Sequence, residues 1–73
     1  MRRPIRKVVR DIITLIKQEG TGEFYLPEYF EDGDSMVYEF IGLNPFSVEV
    51  IIEYGEYEVD AYFSRDNDTI VIT

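Results

Sequence analysis

Residues 47–63, SVEVIIEYGEYEVDAYF, decide how this chain folds. Val48, Val50, Ile52 and Tyr54 alternate with Ser47, Glu49, Ile51 and Glu53. Beyond Gly55, Tyr57, Val59, Ala61 and Phe63 alternate with Glu56, Glu58, Asp60 and Tyr62. Side chains on a strand point alternately to its two faces, so the stretch predicts a β-hairpin with one apolar face and one carboxylate-bearing face. A two-residue turn at Gly55-Glu56 suits type II′ geometry, which favours glycine first. That turn sets Ile52 opposite Val59, Val50 opposite Ala61 and Val48 opposite Phe63. On the other face only Glu53 and Glu58 are opposed. A turn one residue earlier would oppose Glu53 with Glu56 and Glu49 with Asp60. Like charges across a ladder repel, so the first register is preferred.

Outward from the hairpin, the chain reads as one small domain over residues 1–73. A core of this size is marginal unless it packs efficiently or the chain oligomerises. Residues 2–19 predict an amphipathic helix. Ile5, Val8, Val9, Ile12, Ile13 and Ile16 share one face, widened by Leu15, and Arg3, Arg6, Lys7, Arg10 and Lys17 share the other. Pro4 fits a first turn, and Gly20 and Gly22 supply the stop. Residues 36–41 alternate as a third strand, with Tyr38 and Phe40 facing inward and Val37, Glu39 and Ile41 outward. Phe40 would then pair with Val50, and Tyr38 with Ile52. Asn44-Pro45 suits the turn into the hairpin. Residues 69–73 form the last strand, with Ile70 and Ile72 beside Phe63 and Ala61. Residues 23–26 have the composition of a short strand ended by Pro27, and the aromatic run from Phe24 to Phe30 is expected to pack over one end of the core. The expected fold class is α+β, a two-layer structure in which an N-terminal amphipathic helix covers one face of a four-stranded antiparallel meander sheet. Its expected core is Val8, Val9, Ile12, Ile13, Ile16, Tyr38, Phe40, Val48, Val50, Ile52, Val59, Ala61, Phe63, Ile70 and Ile72.

The composition excludes much chemistry. Histidine and cysteine are absent, which removes the usual nucleophile–base pairs and soft-metal ligand sets. Gly20-Thr21-Gly22 lacks the lysine and helix of a phosphate loop. Asp66-Asn67-Asp68 and Glu31-Asp32-Gly33-Asp34 lack the spacing of a calcium loop and read as solvated turns. No enzyme activity, catalytic residue, metal or cofactor is expected. The apolar positions of the first helix are interrupted by Arg10 and Asp11, which argues against a signal peptide or membrane span; a cytoplasmic protein is the expectation.

The net charge of −8 conceals an asymmetry: residues 1–17 carry +5 and residues 18–73 carry −13. Such a chain is repelled by nucleic acid and anionic membranes and attracted to basic protein surfaces. The expected partner site is the outer sheet face: Glu39, Glu49, Ile51, Glu53, Glu56, Glu58, Asp60 and Tyr62, with Val37, Ile41 and Val71 among them. Carboxylates two residues apart on a strand lie about 7 Å apart, on the order of the phosphate spacing along a nucleic-acid strand. A polar outer face is also ordinary for a one-sided antiparallel sheet, although that does not account for the single sign of the charge or for the interleaved apolar residues. The basic helix face reads as solvated, offsetting the acidic remainder.

No family motif is present. In composition alone, a small acidic α+β domain poor in histidine and cysteine resembles the inhibitors that phages and other mobile elements direct against host nucleic-acid enzymes. That resemblance implies a non-enzymatic, protein-binding nucleic-acid mimic, of anti-CRISPR or nuclease-inhibitor type. The alternative is a small structural or accessory protein that forms a homodimer through exposed apolar face residues or an edge strand.

Overall fold

The computed structural model describes residues 5–31, 33–43 and 47–73. The first helix, α1 (Ile5–Glu19), buries Val8, Ile12 and Leu15. Val9, Ile13 and Ile16 are half-buried along its margins. It stops where Gly20, at φ 85°, donates its N–H to the Ile16 carbonyl at 2.8 Å. A left-handed glycine past the last turn is a favoured way to satisfy a terminal carbonyl. The strand β1 (Gly22–Tyr25) follows, then a single 3-10 turn over Leu26–Glu28, then a second helix, α2 (Met36–Gly42). Strands β2 (Val48–Tyr54), β3 (Tyr57–Ser64) and β4 (Thr69–Ile72) complete the chain.

The four strands form one antiparallel sheet in the order β1-β4-β3-β2. The hairpin register is the expected one: Ile52 opposes Val59, Val50 opposes Ala61, Val48 opposes Phe63, and Glu53 opposes Glu58. Gly55 sits at φ 60°, as the first central position of a type II′ turn requires. Ile72 and Ile70 lie opposite Ala61 and Phe63. One apolar face is thereby assembled from Phe24, Ile52, Val59, Ala61, Phe63, Ile70 and Ile72, all buried in the same cluster as the α1 residues. The class is α+β, with α1 against one face of a four-stranded, meander-like antiparallel sheet.

Two expectations fail. Residues 36–41 are helical, so the pairings of Phe40 with Val50 and Tyr38 with Ile52 do not occur. Val37, Phe40 and Ile41 are buried together at i, i+3 and i+4, so Val37 and Ile41 belong to the core rather than the outer sheet face. The cause is tertiary. Ser35 is an N-cap, its Oγ accepting from the Val37 N–H at 3.1 Å, while its hydroxyl donates to Asp11 Oδ2 of α1 at 3.0 Å. The Met36 N–H donates to the same Asp11 oxygen at 3.2 Å. An anionic oxygen at a helix start satisfies donors that otherwise lack partners. The fourth strand is instead β1, whose Phe24 opposes Ile70 and whose Glu23 opposes Val71. The expected aromatic cover is realised in part: Phe24 and Leu26 are buried, Phe30 packs against the core, and Phe24 meets Tyr29 edge to face at 5.4 Å. Phe40 of α2 meets Phe63 of β3 in a similar contact at 5.5 Å, which fixes α2 on the inner face beside α1. The expected helix start at residues 2–4, Asp32 of the acidic turn and the Asn44-Pro45 turn lie outside the described residues.

If the Asp11–Ser35 contact holds α2 in place, Ser35→Ala removes both the cap and the tie. Loss of a cap costs about 1 kcal/mol, within a range of about 0.5–2. Asp11→Ala removes the same tie from the other side, and the double variant is expected to cost less than the two singles added together. Urea unfolding of the four proteins reads this directly, and strict additivity would show that the contact does not couple the helices.

Candidate functional site

The outer sheet face follows from the strand parity. Beginning near the β1 end, its side chains form rows across the sheet. Tyr25, Thr69 and Ser64 make the first row; Glu23, Val71, Tyr62 and Glu49 the second. Asp60 and Ile51 lie in the third, and Glu58 and Glu53 face each other in the fourth. The apolar members run diagonally. Ile51, Tyr62, Val71 and Tyr25 each neighbour the next, either directly across a pair of strands or one step along it, within the reach of cross-strand side chains. Ile51 is 62% exposed, Tyr62 45% and Tyr25 50%. Carboxylates flank this diagonal, with Glu49 on one side and Glu23, Asp60, Glu58 and Glu53 on the other.

Six of the eight expected site residues therefore share one face: Glu49, Ile51, Glu53, Glu58, Asp60 and Tyr62. Glu39 does not, because it is exposed on α2 in the helical layer. Glu56 lies in the turn, past the last strand pair, and is exposed at the hairpin tip. Tyr25 and Glu23 join the face because β1 is part of the sheet. Their strand character was readable, but their place beside β4 was not.

Glu49 and Asp60 are diagonal neighbours, and their carboxyl groups interact. A hydrogen bond to Asp60, then repulsion by its charge and a lesser desolvation, raise the Glu49 carboxyl above its ordinary value. When both groups are ionised there is no proton between them, and Asp60 Oδ1 is shielded from solvent without a hydrogen-bond partner. A proton on Glu49 gives the pair one to share.

On the opposite layer Arg6, Lys7, Arg10 and Lys17 are exposed along α1. Lys17 Nζ stands 5.8 Å from the centroid of the Tyr54 ring, a cation–π contact that ties the end of α1 to the end of β2. Among the described residues no group of three or more acidic side chains is placed to hold a metal ion, and no helix is long and apolar enough to cross a membrane.

Comparison of the chain with models of protein families, with curated proteins and with solved structures finds no match. The functional reading therefore rests on the face itself.

A raised folded-state pKa means that the folded protein holds the Glu49 proton more tightly than the unfolded chain does. Its contribution to stability is present at low pH and is lost as pH rises through the raised value. Asp60→Asn is expected to return the Glu49 midpoint toward that of an ordinary glutamate and to flatten this part of the stability–pH curve. Carboxyl-carbon NMR titration of the parent and the variant checks the direction.

Proposed function

We propose that the protein is a non-enzymatic binding module whose outer sheet face occupies a basic surface of another protein, one that otherwise binds nucleic acid. The single supporting observation is the arrangement of that face: an apolar diagonal of the exposed Ile51, Tyr62 and Tyr25 and the half-buried Val71, flanked by carboxylates, in which no strand residue on the face is basic. Apolar and aromatic side chains inside a polar rim are how protein interfaces obtain affinity. One-signed charge around them accelerates encounter and selects partners of opposite sign. Carboxylates at near-phosphate spacing suit a groove built for nucleic acid. A role as a phage or mobile-element inhibitor, against a nuclease or a CRISPR effector in the cytoplasm, is the narrower form of this proposal.

A second reading draws on the same apolar diagonal. In it Ile51, Tyr62 and Val71 meet their counterparts in another copy of the chain, adding buried area to a small core. Sedimentation at micromolar concentration separates the two readings: a monomer excludes self-association through this face.

The first reading is tested with purified basic nucleases and CRISPR effectors. Binding is expected to weaken steeply as salt rises and to be displaced by a competing oligonucleotide. Each of Glu53→Lys, Glu58→Lys and Asp60→Lys is expected to weaken it by about tenfold or more, and the three together to abolish it. The fold should survive: Glu53→Lys or Glu58→Lys alone sets opposite charges across the same ladder position, and the triple variant has there only a like-charge pair, as the parent already does. If the charge-reversed proteins bind as well as the parent, the acidic face is not the contact surface.

A further inference from the structure

The sheet has two edges, and they differ. The β1 edge is four residues long and runs directly into the Leu26–Glu28 turn. The β2 edge is seven residues long, VEVIIEY, with no proline, lysine or glycine within it. Among the described residues β3 is its only strand partner.

Which backbone groups lie on that free edge follows from the ladder. Asp60 and Thr73 exchange both backbone hydrogen bonds, N–H to O at 3.0 and 2.9 Å. The backbone of Asp60 therefore points toward β4, and that of its neighbours Val59 and Ala61 toward β2. Their partners Ile52 and Val50 are bonded inward. The N–H and C=O groups of Glu49, Ile51 and Glu53 consequently point outward, away from the sheet. The same three residues carry their side chains on the exposed outer face. Backbone hydrogen-bonding groups and accessible side chains are thus presented together along one line.

A second copy of β2 does not suit this edge. Antiparallel pairing about a two-fold axis through Ile51 sets each Glu49 directly against the other chain's Glu53, twice over. Such like-charge oppositions repel and are a recognised way of blocking self-pairing at sheet edges. The same two glutamates favour a strand of opposite sign.

We propose that the β2 edge takes up an extended basic segment of a partner protein by strand addition, with cationic side chains opposite Glu49 and Glu53 and an apolar one opposite Ile51. The recognised pattern is basic, any, apolar, any, basic. Main-chain hydrogen bonds to Glu49, Ile51 and Glu53 hold the segment, and the alternate side chains set its register. The intervening positions lie beside the half-buried Val50 and the buried Ile52, so apolar residues there extend the core. A cation arriving beside Glu49 also offsets the repulsion from Asp60. This inference rests on the basic-partner reading above and narrows it from a surface to a segment.

The test uses the full chain and an end-capped synthetic peptide, Thr-Lys-Val-Ile-Val-Lys-Thr. Amide hydrogen exchange is read by NMR with and without saturating peptide. Slowed exchange is expected at Glu49, Ile51 and Glu53, with Val50 and Ile52 unchanged because they are already bonded to β3. Replacing both peptide lysines by glutamate, or raising the salt concentration, is expected to weaken binding at least tenfold. Ile51→Pro removes an outward N–H that β3 does not use, a position where a sheet edge tolerates proline, and is expected to abolish binding. If that variant fails to fold, the exchange pattern of the parent decides alone. Saturating peptide without protection of the three amides overturns the inference, as does undiminished binding to a folded Ile51→Pro variant. Salt-sensitive shifts at Tyr25, Tyr62 and Val71 without edge protection would overturn the edge and leave the acidic-face reading standing. No binding of this peptide or of any basic protein would end both.

Discussion

Strand parity, locked by one turn, is the constraint on which the rest depends. With Gly55 at φ 60° and two residues in the turn, every side chain from Val48 to Phe63 is assigned to a face. A pairing slip of one residue would turn one of the two strands over, setting its carboxylates against the helices and exposing its valines and isoleucines. The inner face would then bury ions without partners, at a cost of several kcal/mol each. Choosing glycine at that position therefore does more than shape a tip. It decides which residues the helices cover and which charges remain available to a partner.

The hairpin and α1 were legible because each carries a long, clean period and a definite stop. Val48 to Phe63 repeats every two residues, and Val8, Ile12 and Leu15 recur at helical spacing. The position of β4 was legible for the same reason, since Ile70 and Ile72 required Phe63 and Ala61 as neighbours. The stretch from Met36 to Gly42 was not. Val37, Tyr38, Phe40 and Ile41 are strand-favouring residues, and seven residues are too few to separate a period of two from one of 3.6. The deciding groups lie elsewhere in the chain: Asp11 reaches the Ser35 hydroxyl and the Met36 N–H across 24 and 25 residues of sequence. Ser35 as an N-cap was the one local clue.

The helical state of residues 36–41 bears directly on the candidate site. Placing residues 36–41 in the sheet added Val37, Glu39 and Ile41 to the outer face and left β1 off it. In the structure β4 pairs with β1 on its other side, so the face gains Glu23 and Tyr25, and β2 becomes an edge strand rather than an interior one. Glu49, Ile51, Glu53, Glu58, Asp60 and Tyr62 kept their places because they depend only on the hairpin. The aromatic stretch before Tyr29 splits along the same logic. Phe24 turns inward against Ile70, and Tyr25, its neighbour, turns out.

The distribution of charge has a physical consequence of its own. Glu53 faces Glu58, and Glu49 stands diagonal to Asp60; both arrangements oppose folding rather than favour it. A chain of 73 residues has little core from which to offset such repulsion. It does so by stacking two helices on one sheet face, so that Phe40, Phe63, Ile12 and Leu26 are almost wholly enclosed. Side chains of Phe, Ile and Leu contribute about 1.5–3 kcal/mol each when fully buried, whereas exposed like-charge pairs cost only a fraction of that. The inner face therefore tolerates an outer face poorly suited to water-exposed isolation. A cationic surface or strand set against the outer face would convert the same repulsions into attractions without altering any contact in the core.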